Sequence, residues 1–153
     1  MQSDISDGVA ALAGGTVQQG VYRCAVSVNG ISDLNYQLRE GTRLSGDDDR
    51  TAGGPYMKQF LGVGTDEAGV LHDLSPAKLA ARADAPILLI QSANDTVVPL
   101  GQTREMESAL KRAGKPVELL LLPSDDHWLS QGAARKSMLV AAVAFVQKYD
   151  LAL

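Results

Sequence analysis

Residues 86–99 read PILLIQSANDTVVP, and the rest of the chain is organised around them. Pro86 to Ile90 are almost wholly apolar and rich in branched side chains, the composition of a parallel strand buried on both faces. The run stops abruptly at Ser92-Ala93-Asn94-Asp95. Open α/β sheets place ligands and chemistry at the carboxyl ends of their strands. Asp95 is therefore placed for chemistry and not for packing.

A second copy of the pattern lies downstream. Val117–Leu122 (VELLLL) is another strand-like run, and Pro123-Ser124-Asp125-Asp126-His127 is a polar loop directly behind it. Two neighbouring parallel strands would bring Asp95 and His127 to one sheet edge. Their separation of 32 residues accommodates a loop, a helix over Gln102–Ala113, a turn at Gly114-Lys115-Pro116 and the next strand. A carboxylate beside a histidine accepts the Nδ1–H, fixes the tautomer and stabilises imidazolium when Nε2 takes a proton. That is two thirds of a hydrolytic triad.

Pro86–Pro99, Lys111–Leu122 and Asp126-His127-Trp128-Leu129, with the closing helix Met138–Tyr149, resemble the carboxyl-terminal part of an α/β-hydrolase of the prolyl oligopeptidase-like serine peptidase and esterase family. The resemblance continues upstream through Leu74–Ala77 and Gly20–Ser27 to Val9–Thr16. It implies an α/β fold of truncated α/β-hydrolase type, with about three parallel strands flanked by helices and the first half of the fold missing. It also implies that Asp95 and His127 are the acid and base of a Ser-Asp-His triad, in the chain order nucleophile, acid, base.

The nucleophile is the departure. The family pattern Gly-x-Ser-x-Gly-Gly is replaced by Asp4-Ile5-Ser6-Asp7-Gly8 ahead of the small-residue helix Val9–Thr16. Strict alignment puts Ile5 at the serine position. Allowing one deleted residue puts Ser6 there, with Gly8 after one spacer and the N–H of Asp7 as oxyanion donor. Helix N-capping is the other reading of Ser3, Asp4 and Ser6.

Composition narrows the alternatives. With 153 residues the chain reads as one domain. Its 14 basic and 18 acidic side chains give a net charge of −4 with no basic stripe, so neither nucleic acid nor an anionic membrane is an expected partner. The one cysteine, Cys24, is expected in the core, and two histidines and one cysteine form no zinc pattern. No metal or other cofactor is expected. Without a leader pattern or a membrane-length apolar run, a cytoplasmic protein is the expectation.

Elsewhere the readings are structural. Tyr22–Val28 reads as the first strand, followed by Asn29 and Asp33, which either line a pocket or form a turn and cap the next helix. Residues 35–70 read as an irregular insertion; its acidic triplet Asp47-Asp48-Asp49 lacks calcium-loop spacing and reads as solvated. His72 reads as a surface or packing residue. Ser75 and Pro76 read as the start of a helix over Ala77–Ala83. In the closing helix, residues 133–149, the stripe Met138, Leu139, Ala142, Phe145, Val146, Tyr149 is expected to pack on the sheet. Losing the earlier strands would leave the Tyr22–Val28 strand at an edge, so a homo-oligomer is expected.

Two functions fit these observations. One is a serine hydrolase acting on small-molecule carboxylic esters, because a reduced site with an incomplete oxyanion hole manages a good leaving group more readily than an amine. The other is a catalytically silent, self-associating domain that keeps Asp95 and His127 as relics of its fold.

Overall fold

The computed structural model describes residues 5–45, 68–123 and 126–150. Three strands, β1 (Ala25–Val28), β2 (Ile87–Ser92) and β3 (Val117–Leu122), form a parallel sheet in the order β1-β2-β3. Their registers pair Ala25 with Ile87 and Ile87 with Val117, so the three carboxyl ends fall on one edge. The helices are α1 (Ile5–Val17), α2 (Leu34–Ser45), α3 (Ala68–Leu74), α4 (Leu100–Arg112) and α5 (Gly132–Asp150), with a 3₁₀ turn at Ala80–Arg82. Three parallel strands flanked by helices are the part of an α/β-hydrolase architecture that the resemblance implies.

The middle strand is buried on both faces because its alternate side chains enter different cores. Ile87 and Leu89 pack with Leu12 of α1 and Met106, Ala109 and Leu110 of α4. Leu88 and Ile90 pack with Leu122, Leu129 and Phe145 on the α5 side. A continuous apolar run is what two-sided burial requires. Small residues let α1 approach closely: a Cβ on Gly15 would already touch Ala25 and Ile87, and one on Gly8 would fall 2.4 Å from the Gly30 Cα. Gly8 thereby holds the amino-terminal end of α1 against the carboxyl end of β1, where the Ser27 hydroxyl donates to the Gly8 carbonyl at 3.0 Å.

Several local expectations change. The first strand begins at Ala25, and Tyr22 instead lies exposed with its ring over Gly14. The segment 35–70 is not uniformly irregular. It opens in α2, because the Asp33 carboxylate caps the Tyr36 N–H at 2.9 Å and Leu34 and Leu38 pack against Ile31 and Leu71. It ends inside α3, and the acidic triplet lies outside the described residues.

Ser75 starts no α-helix. A turn and the 3₁₀ segment replace the helix over Ala77–Ala83, and the Ser75 hydroxyl caps α2, accepting from Leu34 N–H at 3.0 Å. On α5, Met138, Ala142, Phe145 and Tyr149 join the core, while Leu139 and Val146 are exposed. The inward row follows 3.6-residue spacing closely, and its immediate neighbours rotate toward solvent. Cys24 is half-buried beside the same core, and exposed His72 faces Asp73 at 3.0 Å.

Candidate active site

Asp95 follows β2 in a turn that its own carboxylate closes. Oδ1 accepts the N–H groups of Val97 at 2.8 Å and Val98 at 2.7 Å. Asx-type turns of this kind need a short acceptor side chain, which Asp supplies. Oδ2 is left facing His127, whose Nδ1 lies 2.7 Å away, with the Asp95 side chain fully buried and the His127 side chain 5 % exposed. An ionised carboxylate only accepts, so Nδ1 carries the proton and Nε2 is the basic nitrogen. Among the described residues Nε2 has no hydrogen-bond partner.

The histidine loop is held from both sides. Asp126 accepts the N–H groups of Trp128 and Ser130, both at 3.1 Å, and the Ser130 hydroxyl at 2.7 Å. The Ser130 hydroxyl, followed by these backbone donors, keeps the Asp126 carboxyl below the ordinary carboxylate range. Arg135 of α5 donates to the carbonyls of Leu129 at 2.6 Å and Ser130 at 3.0 Å, around a residue with positive φ, Leu129 at 52°. Trp128 stands edge-on to the His127 ring at 5.5 Å and is 55 % exposed.

Asn29 settles between its two readings as a clamp. At φ 49°, a conformation Asn tolerates better than most residues, its Oδ1 accepts Ser92 N–H at 2.8 Å. Its Nδ2 donates to Ser92 Oγ at 3.2 Å and to the His127 carbonyl at 3.0 Å. One side chain thus joins the ends of all three strand-to-loop connections. Asp33 does the capping and also pairs with Lys78 at 2.9 Å. Burial opposes its charge, but the Lys78 ammonium and the Tyr36 N–H outweigh burial and hold the carboxyl below its usual range. Sequence reasoning missed Gln91, Asp126 and Arg135; only the short spacing from Asp126 to Ser130, an Asx pattern, was legible in advance.

Ser6 and Asp7 lie in the first turn of α1, and their side chains are outside the described ones. The backbone there is helical and does not form the sharp strand-to-helix turn of a nucleophile elbow. Ser3 and Asp4, with Ser124 and Asp125 of the histidine loop, also lie outside the described residues. No group of three or more His, Cys, Asp or Glu side chains is arranged for a metal among the described residues. No described helix is long and apolar enough to cross a membrane.

The family model for the prolyl oligopeptidase family matches residues 8–150. The chain belongs to the prolyl oligopeptidase family. A curated protein of similar sequence, the acylamino-acid-releasing enzyme of Rattus norvegicus, is 35% identical over 77 residues, covering 50% of this chain and 10% of that protein. The uncharacterized peptidase YuxL of Bacillus subtilis (strain 168) is 36% identical over 61 residues, covering 40% of this chain and 9% of its own.

Among solved structures, a puromycin-hydrolyzing peptidase of Mycobacterium tuberculosis superposes with TM-score 0.79 at 27% identity, over 93% of this chain and 20% of that one. Pyrococcus horikoshii acylaminoacyl peptidase superposes with TM-score 0.74 at 26% identity, over 92% and 22%. The chain spans about a tenth of the length of the curated relatives and about a fifth of the solved ones. The family is one of serine peptidases.

Proposed function

We propose that Asp95 and His127 are the acid and base of a serine hydrolase, with Ser6 as nucleophile and the Asp7 N–H as oxyanion donor. The buried 2.7 Å contact between Nδ1 and Oδ2 carries this reading. His127 Nε2 removes the hydroxyl proton as Ser6 attacks an acyl carbon. The imidazolium then returns that proton to the leaving group, and water repeats the cycle on the acyl-enzyme. Asp95 stays ionised throughout and holds the ring. The first turn of α1 offers backbone N–H groups without intrahelical partners and the positive end of a helix dipole to the developing oxyanion.

Relatives named for acylamino acids and puromycin favour acyl–amide substrates of small size, and the exposed Trp128 indole beside the base offers an apolar surface to an acyl or aromatic group. Activated esters remain the easiest substrates. Their leaving groups depart more readily than an amine does.

The helical backbone at Ser6 favours a second reading, a domain that keeps the acid–base pair without turnover. Fluorophosphonate labelling separates the two. An adduct on Ser6, lost in Ser6→Ala and His127→Ala, supports the hydrolase; the absence of any adduct on folded protein leaves the silent domain.

We also propose self-association. Among the described residues β1 pairs only with β2, and its outer edge has no strand. An open apolar edge is a template for another chain. Gel filtration showing a compact monomer would refute this.

A further inference from the structure

Gln91 is the first polar residue after the apolar part of β2, and none of it is exposed. Another branched apolar residue would serve packing there at lower cost, because a buried amide must have its hydrogen bonds satisfied. The Gln91 amide is surrounded asymmetrically. Its nitrogen faces three acceptors: the Ser92 carbonyl at 3.2 Å, the Val98 carbonyl at 3.1 Å and Asp95 Oδ2 at 3.4 Å. Its oxygen faces one donor, the Thr103 hydroxyl of α4, at 2.6 Å. Turning the amide over would set its oxygen against three oxygens, so only one orientation is compatible with these neighbours.

Resting on the acid–base reading above, we propose that Thr103 and Gln91 form a positioning relay behind Asp95. The three acceptors fix which way the amide points, and the Thr103 hydroxyl anchors its oxygen. The amide nitrogen then braces the turn through Val98, whose own N–H holds Asp95 Oδ1, and reaches the same Oδ2 that accepts the His127 Nδ1–H. Carboxylate rotation is thus restrained at both oxygens, and the imidazole is kept in the tautomer with Nε2 free of its proton. Neither residue touches the reacting atoms. Their effect passes through the Asp95 carboxylate.

The test reads the tautomer directly and does not require turnover. Protein carrying ¹⁵N-labelled histidine is examined in alkaline buffer, with His72→Gln used to assign the two rings. His127 of the wild type is expected as the Nδ1–H tautomer. Gln91→Met keeps the length and loses the amide; Thr103→Val keeps the shape and loses the hydroxyl. Both should move His127 toward the Nε2–H form preferred by free imidazole and slow fluorophosphonate labelling roughly 10- to 100-fold, the range that orienting partners of functional histidines are worth. Thr103→Ser, which restores the hydroxyl, should restore the wild-type tautomer. An unchanged tautomer in either folded variant overturns the relay, and if Gln91→Met does not fold, Thr103→Val alone decides. Wild-type protein with the expected tautomer and no labelling of Ser6 would instead defeat the hydrolase reading and leave the relay standing.

Discussion

Replacing Asp95 by Asn tests the chemistry and the packing separately. Oδ1 accepts two backbone N–H groups, from Val97 and Val98, so the Asn carbonyl must occupy that position. Its NH₂ then points at His127 Nδ1, 2.7 Å from the present Oδ2, and can only donate. The ring must answer as an acceptor, which puts its proton on Nε2, the nitrogen that takes one from Ser6 in the proposed hydrolase.

A locked wrong tautomer of this kind costs about 10⁴-fold in rate, or roughly 5.4 kcal/mol of barrier. Stability changes little, by about 1 kcal/mol, since most hydrogen bonds are exchanged and not lost. Asp95→Ala behaves differently: it strands the buried Val98 N–H and the His127 Nδ1–H, each worth about 1–3 kcal/mol. Fluorophosphonate labelling rates and urea unfolding midpoints should therefore give an Asn variant that is stable and inert and an Ala variant that is markedly less stable. Labelling of the Asn variant within tenfold of wild type would refute the tautomer argument.

Other consequences follow from the same geometry. Asn29→Gly keeps a residue suited to positive φ and deletes the clamp, and should lower stability by about 2 kcal/mol, a melting shift of roughly 4–8 °C by calorimetry. Gly8→Ala should destabilise by about 1–3 kcal/mol despite its better helix propensity, because the new methyl meets Gly30 backbone at 2.4 Å. Gly69→Ala, where a Cβ meets nothing among the described residues, should stabilise α3 by about 0.5–1 kcal/mol in the same urea titration.

Lys78→Met tests the Asp33 ion pair through pH. Asp33 is shifted down from 3.8, so its contribution is present above that value and is lost as pH falls through the lowered one. Lys78 is shifted up from 10.5, chiefly by its hydrogen bond to Asp33, so its contribution persists below 10.5 and is lost only as pH rises through the raised value. The stability gap between wild type and variant should be flat through neutral pH and shrink in acid below 3.8. A gap that changes between 3.8 and 10.5 would contradict this.

Local sequence was enough for the sheet and for the meeting of Asp95 with His127. β2 and β3 announce themselves because two-sided burial demands unbroken apolar runs, and Asp95 and His127 stand out because each follows such a run at the edge where α/β sheets do chemistry. Asp33 as a cap and Gly114 as a helix terminus were legible for the same reason: both act on backbone within a few residues of themselves.

Partners distant in the chain were not legible. Ser75 carries a helix-start signature yet caps Leu34, which is 41 residues away. Asn29 reads as a turn residue yet ties together loops that are 63 and 98 residues distant. Gln91 and Thr103 carry no sequence signature, because a buried hydrogen bond between side chains is set by how α4 lies on β2 and by no periodicity. Backbone pattern is a local property and survives in one dimension; the pairing of buried polar groups is a consequence of which surfaces the packing brings within about 3 Å, and only the folded chain decides it.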